Sequence, residues 1–279
     1  WIFINYNRKP EHSLHEWMKP LPGALEEYFA NENWYWRSGY KDIFKCNWKI
    51  LIDNQIEGYH VNSLHQATVK GFFSPPDMQT LAFPESLGVP GKLEWCMPSD
   101  PAGKISLTNV AALAMKYGKT NPLYTDKDEA GTFSTAADKY PGALNRTNSP
   151  DWIFDDWAIF PNTVIFPQKD YMWIQRAWPI SPHETAWEWD WWFCSEPPKN
   201  FGELFSWEQA YTGLRNITTE DVDTAEGIQR NYRSGAVDGQ ILSALETSVR
   251  GYQNRVQNAV EAYKAKRLAG SKPTVVGKD

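Results

Sequence analysis

Two stretches of the sequence alternate polar and apolar residues with a period of two, and they constrain the fold more than any other feature. Residues 171–179 read YMWIQRAWP, and residues 185–194 read TAWEWDWWFC. Successive side chains of a β-strand point to opposite faces, so this alternation is typical of antiparallel strands with one buried face. Residues 33–47 alternate in the same way. We therefore predict that the chain is built on an antiparallel sheet.

Helical patterns flank these strands on both sides. We predict a short helix over residues 23–31, and helices over residues 201–215, 221–233 and 241–268. The last has an apolar stripe formed by Val249, Tyr252, Val256, Val260 and Tyr263. Shorter strands are predicted at residues 1–6, 92–97, 104–108, 152–160 and 163–166. This order predicts an α+β domain in which a curved antiparallel sheet packs around a long C-terminal helix.

Residues 66–150 are the least regular part of the sequence. Proline and glycine interrupt them repeatedly, as in SPPD, FPES, VPG and PSDP. Long irregular segments in a domain are usually functional or disordered. Our interpretation is that they form the wall and entrance of a pocket, and the alternative is a mobile insertion.

The composition indicates a large core and excludes two classes of partner. The chain has 279 residues, of which 42% are hydrophobic, and it contains fifteen tryptophans. Because buried indole N–H groups need partners, so many tryptophans suit a sheet that lines a pocket. The net charge is −6 and no basic run occurs, so nothing favours nucleic acid or an anionic membrane. No apolar run approaches the roughly 18 residues that span a bilayer.

The cysteines indicate a reducing compartment. Cys46, Cys96 and Cys194 are far apart and form no C-x-x-C pair. This usage suits reduced thiols in a cytosol better than a disulfide framework.

Residues 57–65 concentrate groups that can bind a metal. Glu57, His60 and His65 occur within nine residues, although the chain has only five histidines. His60 and His65 are five apart, which is roughly 140° around an ideal helix. Both can face one ion only if the helix bulges or ends between them, for which residues 61–63 are suitable. Imidazoles suit iron, zinc, copper or nickel, and the alternative is one core and one surface histidine.

The two histidines lie in a longer motif. Asn47-Trp48-Lys49, Asp53-Asn54, Glu57-Gly58-Tyr59-His60 and His65 resemble the iron-binding signature N-W-K…E-N…[D/E]-x-Y-H-x4-H. This signature belongs to the catalytic domain of the large (α) subunit of Rieske non-haem iron aromatic-ring-hydroxylating oxygenases. Asp53 stands where Glu is commoner in the family.

A second motif follows far downstream. The family has a third metal ligand in a pattern E-D-x4-E-x2-Q, and this chain has Glu220-Asp221, Glu226 and Gln229 at that spacing. Taken alone, Asp221 reads as the end of a capping box that starts at Thr218. Because both motifs occur in the right order, we favour Asp221 as a ligand.

The resemblance implies a role for each of these residues. His60, His65 and Asp221 would hold mononuclear Fe(II) and leave positions for O2 and substrate. Glu57 would bind the other ring N–H of His60 and carry electrons from the Rieske cluster of a neighbouring subunit. Supporting roles fall to Asn54, Tyr59 and Gln229.

The resemblance also implies a fold, partners and a domain arrangement. The fold would be the helix-grip domain of these oxygenases, with residues 1–22 as a linker, 23–268 as the catalytic domain and 269–279 as a disordered tail. The C-x-H and C-x-x-H half-motifs that hold a Rieske 2Fe–2S cluster do not occur in this sequence, so the cluster must lie upstream or on another chain. A homotrimer, a ferredoxin or reductase partner, an apolar or aromatic substrate and a bacterial cytoplasm would complete this picture.

Two other functions remain open at this point. A helix-grip module that only binds a small ligand would have the same fold, but it gives no reason for two ligand motifs. A zinc hydrolase could use the same three ligands, although no H-E-x-x-H motif occurs.

Overall fold

A computed structural model describes most of the predicted elements. The described residues are 2–10, 12–18, 21–30, 34–58, 60–66, 68, 79–82, 93–96, 156–167, 171–193, 197–237, 239–243 and 246–270. The predicted strand at residues 104–108, most of the irregular region and the predicted tail lie outside these residues.

An antiparallel sheet of five strands is the centre of the described structure. Its strands stand in the order β1-β7-β6-β5-β4, and β2 and β3 form a separate antiparallel pair. The strands are β1 (Tyr35–Phe44), β2 (Gln79–Ala82), β3 (Leu93–Cys96), β4 (Trp157–Ile159), β5 (Thr163–Pro167), β6 (Tyr171–Ser181) and β7 (Glu184–Phe193). The two alternating stretches are thus neighbouring strands, which confirms the prediction made from their period.

The alternation along β7 separates the two faces of the sheet. Trp187, Trp189 and Trp191 are buried on one face, while Glu188 and Asp190 point to the other. The buried face packs on the long helices, whereas the opposite face carries an ion-pair network and the N-terminal helices.

Six helices lie within the described residues. They are α1 (Leu14–Trp17), α2 (Leu21–Ala30), α3 (Trp48–Gln55), α4 (Val61–Leu64), α5 (Phe201–Ser234) and α6 (Thr247–Gly270). Side chains of α3, α5 and α6 join the tryptophans of β7 in one core. The prediction of an α+β, helix-grip-like fold with an antiparallel sheet packed against C-terminal helices is therefore confirmed.

Helix α5 is continuous where the sequence predicted two helices. Its buried positions recur every three or four residues through Leu214, Thr218, Asp221 and Ala225, so one apolar stripe crosses the predicted break. The hydroxyl of Thr218 donates to the carbonyl of Leu214 at 3.1 Å and caps nothing. The capping-box interpretation of Asp221 is wrong.

Helix α6 packs through its first half only. Val249 and Tyr252 are buried, but Val260 and Tyr263 on the same predicted stripe are 41% and 64% exposed. The helix also begins later than predicted, at Thr247.

The prediction of a buried strand at residues 1–6 is wrong for the described part. Residues 2–6 form no strand, and Ile2, Ile4 and Tyr6 are more than 70% exposed. An apolar run alone therefore does not identify a buried strand in this chain. No helix among the described residues is long and apolar enough to cross a membrane.

The tryptophans of the two sheet faces should differ sharply in their effect on stability. Trp187 is 1% exposed and packs beside Phe44, so Trp187→Ala should lower the free energy of unfolding by about 3–5 kcal/mol. Trp178, 46% exposed on β6, is the control, and Trp178→Ala should cost less than about 1 kcal/mol. Urea unfolding followed by circular dichroism measures both, and equal losses would contradict this assignment of faces.

Candidate metal centre

The two histidines flank a single helical turn. Helix α3 ends at Gln55, and α4 starts again at Val61, so Glu57 lies in a non-helical connection. His60 is the residue before α4 and His65 the residue after it. The chain therefore breaks before His60, not at residues 61–63 as predicted, and the helix also ends at His65. The backbone between the two histidines is helical, since the amide of Leu64 donates to the carbonyl of His60 and that of His65 to the carbonyl of Val61. The centroids of their rings nevertheless lie 5.2 Å apart, so the prediction that the helix must bulge or end between them is wrong.

Both imidazoles converge on one carboxylate. Nε2 of His65 lies 3.1 Å from Oδ1 of Asp221, and Nε2 of His60 lies 3.5 Å from the same oxygen. One candidate ligand atom from each of the three residues lies within 4.8 Å of the others. The structure thus brings together the three residues that the two sequence motifs singled out.

The other ring nitrogen of each histidine faces a second carboxylate. Nδ1 of His60 contacts Oε1 of Glu57, and Nδ1 of His65 lies 2.8 Å from Oε2 of Glu220. A carboxylate at Nδ1 fixes the proton there and leaves the Nε2 lone pair free. Both lone pairs then point towards Asp221, which is the arrangement that a metal ion requires.

Asp221 provides the test of whether a cation fits. Its Oδ1 is buried, yet neither close Nε2 atom meets it with the geometry of a hydrogen bond. Burial alone would raise the pKa of Asp221, but the two imidazoles lower it to about 2. Burial would likewise lower the pKa of His60, but Asp221 and Glu57 raise it to about 9. This environment favours positive charge between the three groups, and a divalent cation satisfies it.

Glu220 and Asp221 are neighbours on α5 but contact different nitrogens of His65. Adjacent residues of a helix point about 100° apart, so Glu220 reaches Nδ1 of His65 while Asp221 faces the Nε2 side. The hydroxyl of Thr68 also donates to Oε2 of Glu220, at 2.6 Å. Glu220 is a supporting residue that the sequence analysis missed, although it stands beside the predicted ligand.

The rest of the second motif joins it to the first. Oε1 of Glu226 accepts from the backbone amide of Lys45 at 2.9 Å, and Oε1 of Gln229 accepts from that of Asn47 at 2.8 Å. The side chain of Asn47 caps α3 by accepting from the amide of Lys49. Gln229 thus supports the site by fixing the start of α3 and not by contacting a ligand.

Two other predicted supporting residues are not placed at the ligands. Asn54 contacts none of the three, although its side-chain amide nitrogen is buried without a hydrogen bond. Tyr59 lies outside the described residues.

A cavity of about 340 Å³, called the outer cavity below, adjoins this centre on the side of Glu57. Three carboxylates and no lysine or arginine are among the lining residues that the structure describes. These are Ile50, Asp53, Asn54, Glu57, His60, Ser63, Leu64, Thr224, Ile228, Gln240, Leu242, Glu246 and Val249. It reaches Glu57 and His60 but not His65 or Asp221, so it lies on the Glu57 side of His60.

The sequence analysis also missed the environment of Asp53. This residue is 9% exposed, and its Oδ1 accepts from Nε2 of Gln253 on α6 at 2.7 Å. Burial raises the pKa of Asp53 to about 7, against the lowering effect of Gln253, Gln240 and Lys49. No local pattern signals this contact, because its two partners are 200 residues apart.

Two histidines and a carboxylate on a helix-grip-like fold define the class of a mononuclear metal domain. A family model described as "Ring hydroxylating alpha subunit (catalytic domain)" matches residues 6–262. The chain belongs to this family, which confirms the resemblance drawn from its motifs. Catalytic domains of this family use mononuclear Fe(II). No curated protein matches the sequence at a significant level.

Solved structures share the fold at low sequence identity. CntA, a quaternary ammonium Rieske monooxygenase in complex with L-carnitine, is 14% identical, with a TM-score of 0.54 over 88% of this chain and 55% of that chain. Naphthalene 1,2-dioxygenase from Rhodococcus sp., bound to indole, is 14% identical, with a TM-score of 0.51 over 78% and 50%. NdmA from Pseudomonas putida CBB5, with caffeine, is 10% identical, with a TM-score of 0.51 over 86% and 55%. The chain spans about half the length of each of these structures.

Removal of the carboxylate behind His65 should weaken metal binding without removing a ligand. Glu220→Ala should lower Fe(II) affinity by about 10- to 100-fold, because Nδ1 of His65 loses the group that orients the ring. Asp223→Ala, at an exposed position on the same helix, is the matched control and should leave the affinity unchanged. Anaerobic titration with a competing chelator measures both, and equal affinities would show that Glu220 does not orient His65.

Proposed function

We propose that this chain is the catalytic domain of a Rieske-type non-haem iron oxygenase, in which His60, His65 and Asp221 hold Fe(II). One observation carries the proposal: two Nε2 atoms and a buried carboxylate oxygen converge, while both Nδ1 atoms already face carboxylates. Three protein ligands would leave coordination positions on Fe(II) for O2 and substrate. Activation of O2 is the chemistry that the metal would supply.

The protein's own groups prepare the site for that chemistry. Glu57 and Glu220 hold the Nδ1 protons of His60 and His65, so that each ring presents its lone pair to the ion. Asp221 contributes a negative charge from the middle of a rigid helix, which lowers the cost of placing a divalent cation in a buried site.

Electrons must come from outside this sequence, because it lacks the cysteine–histidine motifs of a Rieske cluster. We propose that they arrive at Glu57, since this carboxylate contacts His60 and also lines the outer cavity. The donor would be a Rieske 2Fe–2S cluster of a neighbouring subunit in a homotrimer, itself reduced by a ferredoxin or reductase.

The proposed substrate is a small apolar or aromatic molecule, which the enzyme would hydroxylate, dihydroxylate or oxidatively demethylate. The support is the fold that this chain shares with structures of related enzymes. CntA with L-carnitine, naphthalene dioxygenase with indole and NdmA with caffeine share the fold. We also propose that residues 1–22 are a linker, 23–268 the catalytic domain and 269–279 a tail.

Removal of any one of the three proposed ligands should have the same effect on the iron content of the protein. The wild-type chain loaded anaerobically should hold about one iron per chain, and His60→Ala, His65→Ala and Asp221→Ala should each lose it. Elemental analysis after gel filtration measures the content, and circular dichroism shows whether each variant is folded.

His183 provides a matched control, because it is exposed and its Nδ1 contacts Gln229 rather than the proposed ligands. His183→Ala should keep its iron. The proposed function is wrong if the wild type binds no iron or if Asp221→Ala retains it.

Glu57 should matter for electron transfer more than for metal binding. Glu57→Gln should keep Fe(II) affinity within about tenfold, because the amide oxygen still accepts from Nδ1 of His60, but it should slow turnover by about 10- to 100-fold. Stopped-flow re-oxidation of a reduced Rieske donor domain measures the transfer step. Glu246→Gln removes a charge from the same cavity without touching His60 and should leave this rate near that of the wild type.

A further inference from the structure

Asp53 lies four residues before Glu57, and its carboxylate connects α3 to α6 and to the segment before α6. It belongs to the last two turns of α3, it accepts from Nε2 of Gln253 on α6, and Gln240 in the segment before α6 also hydrogen-bonds to it. The sequence gives no reason for an aspartate here, where the family more often has glutamate. Its structural surroundings do give one.

Glu57 is the second residue after the end of α3. It lies in the non-helical connection between α3 and α4, and its carboxylate is held by the backbone amide of His60 at 3.2 Å and by the Nδ1 contact. Its position therefore depends on where α3 ends. Because Gln253 fixes Asp53, this hydrogen bond also fixes the end of α3 from which Glu57 departs.

Asp53 and Glu57 also share the outer cavity electrostatically. Both line it together with Glu246, and no lysine or arginine is among its described lining residues. Two carboxylates in one cavity disfavour each other's ionised form, so the more buried one tends to hold a proton.

The other groups that face Asp53 are few. Lys49, one turn earlier on α3, favours the ionised form of Asp53. The charge of Asp53 in turn helps to raise the pKa of Tyr232 on α5 and of Tyr252 on α6. Of the two carboxylates that share the cavity with Asp53, Glu57 contacts a proposed ligand, so the interaction with Glu57 couples Asp53 to the candidate metal centre.

We propose that Asp53 is a positioning residue for the Glu57–His60 pair, acting through its hydrogen bond to Gln253 and through the charge that it presents to the cavity. This inference rests on the proposed function, because the pair matters only if His60 is a metal ligand. In its ionised state Asp53 opposes the negative charge on Glu57 and thereby changes the hydrogen bond at Nδ1 of His60. The proton that Asp53 gains or loses exchanges with solvent through the cavity.

The experiment uses Co(II) in place of Fe(II), because its visible absorption reports the ligand field of the site. Spectra are recorded between pH 5.5 and 8.5 for wild type, Asp53→Asn and Gln253→Leu. The wild-type spectrum should change through one transition near neutral pH, and Asp53→Asn should abolish that transition. Gln253→Leu should move it to higher pH, because the carboxylate loses a donor, and should weaken Co(II) binding about three- to tenfold.

Gln257→Leu is the matched control. Gln257 lies one turn further along α6, is exposed and bonds to Glu261 instead. The same substitution there should leave the transition and the affinity at their wild-type values. A purely structural role for Asp53 would change affinity but not the pH profile.

A second measurement needs no metal. Since the pKa of Asp53 is raised in the folded state from 3.8 to about 7, wild type should lose stability as pH rises between these values, and Asp53→Asn should not. The ratio of the unfolding constant of the variant to that of wild type should therefore fall by up to about tenfold per pH unit between pH 5 and 7.

The outcomes separate the two proposals. If wild type binds no Co(II), or if Asp221→Ala still binds it, the proposed function is wrong and this inference falls with it. If the three ligands bind Co(II) but Asp53→Asn and Gln253→Leu both behave like Gln257→Leu, only the role of Asp53 is overturned.

Discussion

The candidate metal centre depends on one buried carboxylate oxygen that lies between two imidazoles. Oδ1 of Asp221 lies within 3.5 Å of both Nε2 atoms, and among the described residues it has no donor with the geometry of a hydrogen bond. A buried carboxylate is costly unless positive charge compensates it, and a cation between these groups would do so. The surrounding structure maintains this arrangement, because Glu57 and Glu220 hold the opposite side of each imidazole.

The two motifs hold each other in register across the core. Glu226 and Gln229 follow Asp221 on α5 and accept from the backbone amides of Lys45 and Asn47, where β1 ends and α3 begins. The hydroxyl of Thr185 at the start of β7 donates to the carbonyl of Cys46 at 2.8 Å. One short segment is thus tied to the sheet and to α5, so α3 starts at a fixed point relative to Asp221. Glu226 and Gln229 lie three apart on α5 and so share a face, which lets both reach the same short segment.

Much of this could be predicted from the sequence, because the signals are local. Period-two alternation predicted β6 and β7, and the two motifs predicted which histidines and which aspartate meet. Where a local sequence signal and the packing of the core favoured different structures, the structure follows the packing. Thr218 forms a plausible capping box in the sequence, but a continuous buried stripe favours an unbroken helix through it.

The supporting residues could not be predicted in this way. Glu220 meets His65 from 155 residues away, and Asp53 meets Gln253 from 200 residues away. Glu220 belongs to the second motif, but nothing in the sequence near either carboxylate shows which residue it meets. The break before His60 was also missed, although Gly58 is a residue that commonly ends a helix. Local sequence patterns indicate which residues form the candidate site, whereas long-range hydrogen bonds determine how these residues are held.

The most direct test of this account is a crystal structure of the Fe(II)-loaded protein with anomalous data collected on both sides of the iron absorption edge. We expect a single anomalous peak per chain, bounded by Nε2 of His60, Nε2 of His65 and the carboxylate of Asp221, at about 2.0–2.2 Å from each. The nitrogen Nδ1 of each histidine should still face Glu57 or Glu220. A peak elsewhere, or a peak that Asp221 does not contact, would contradict the account.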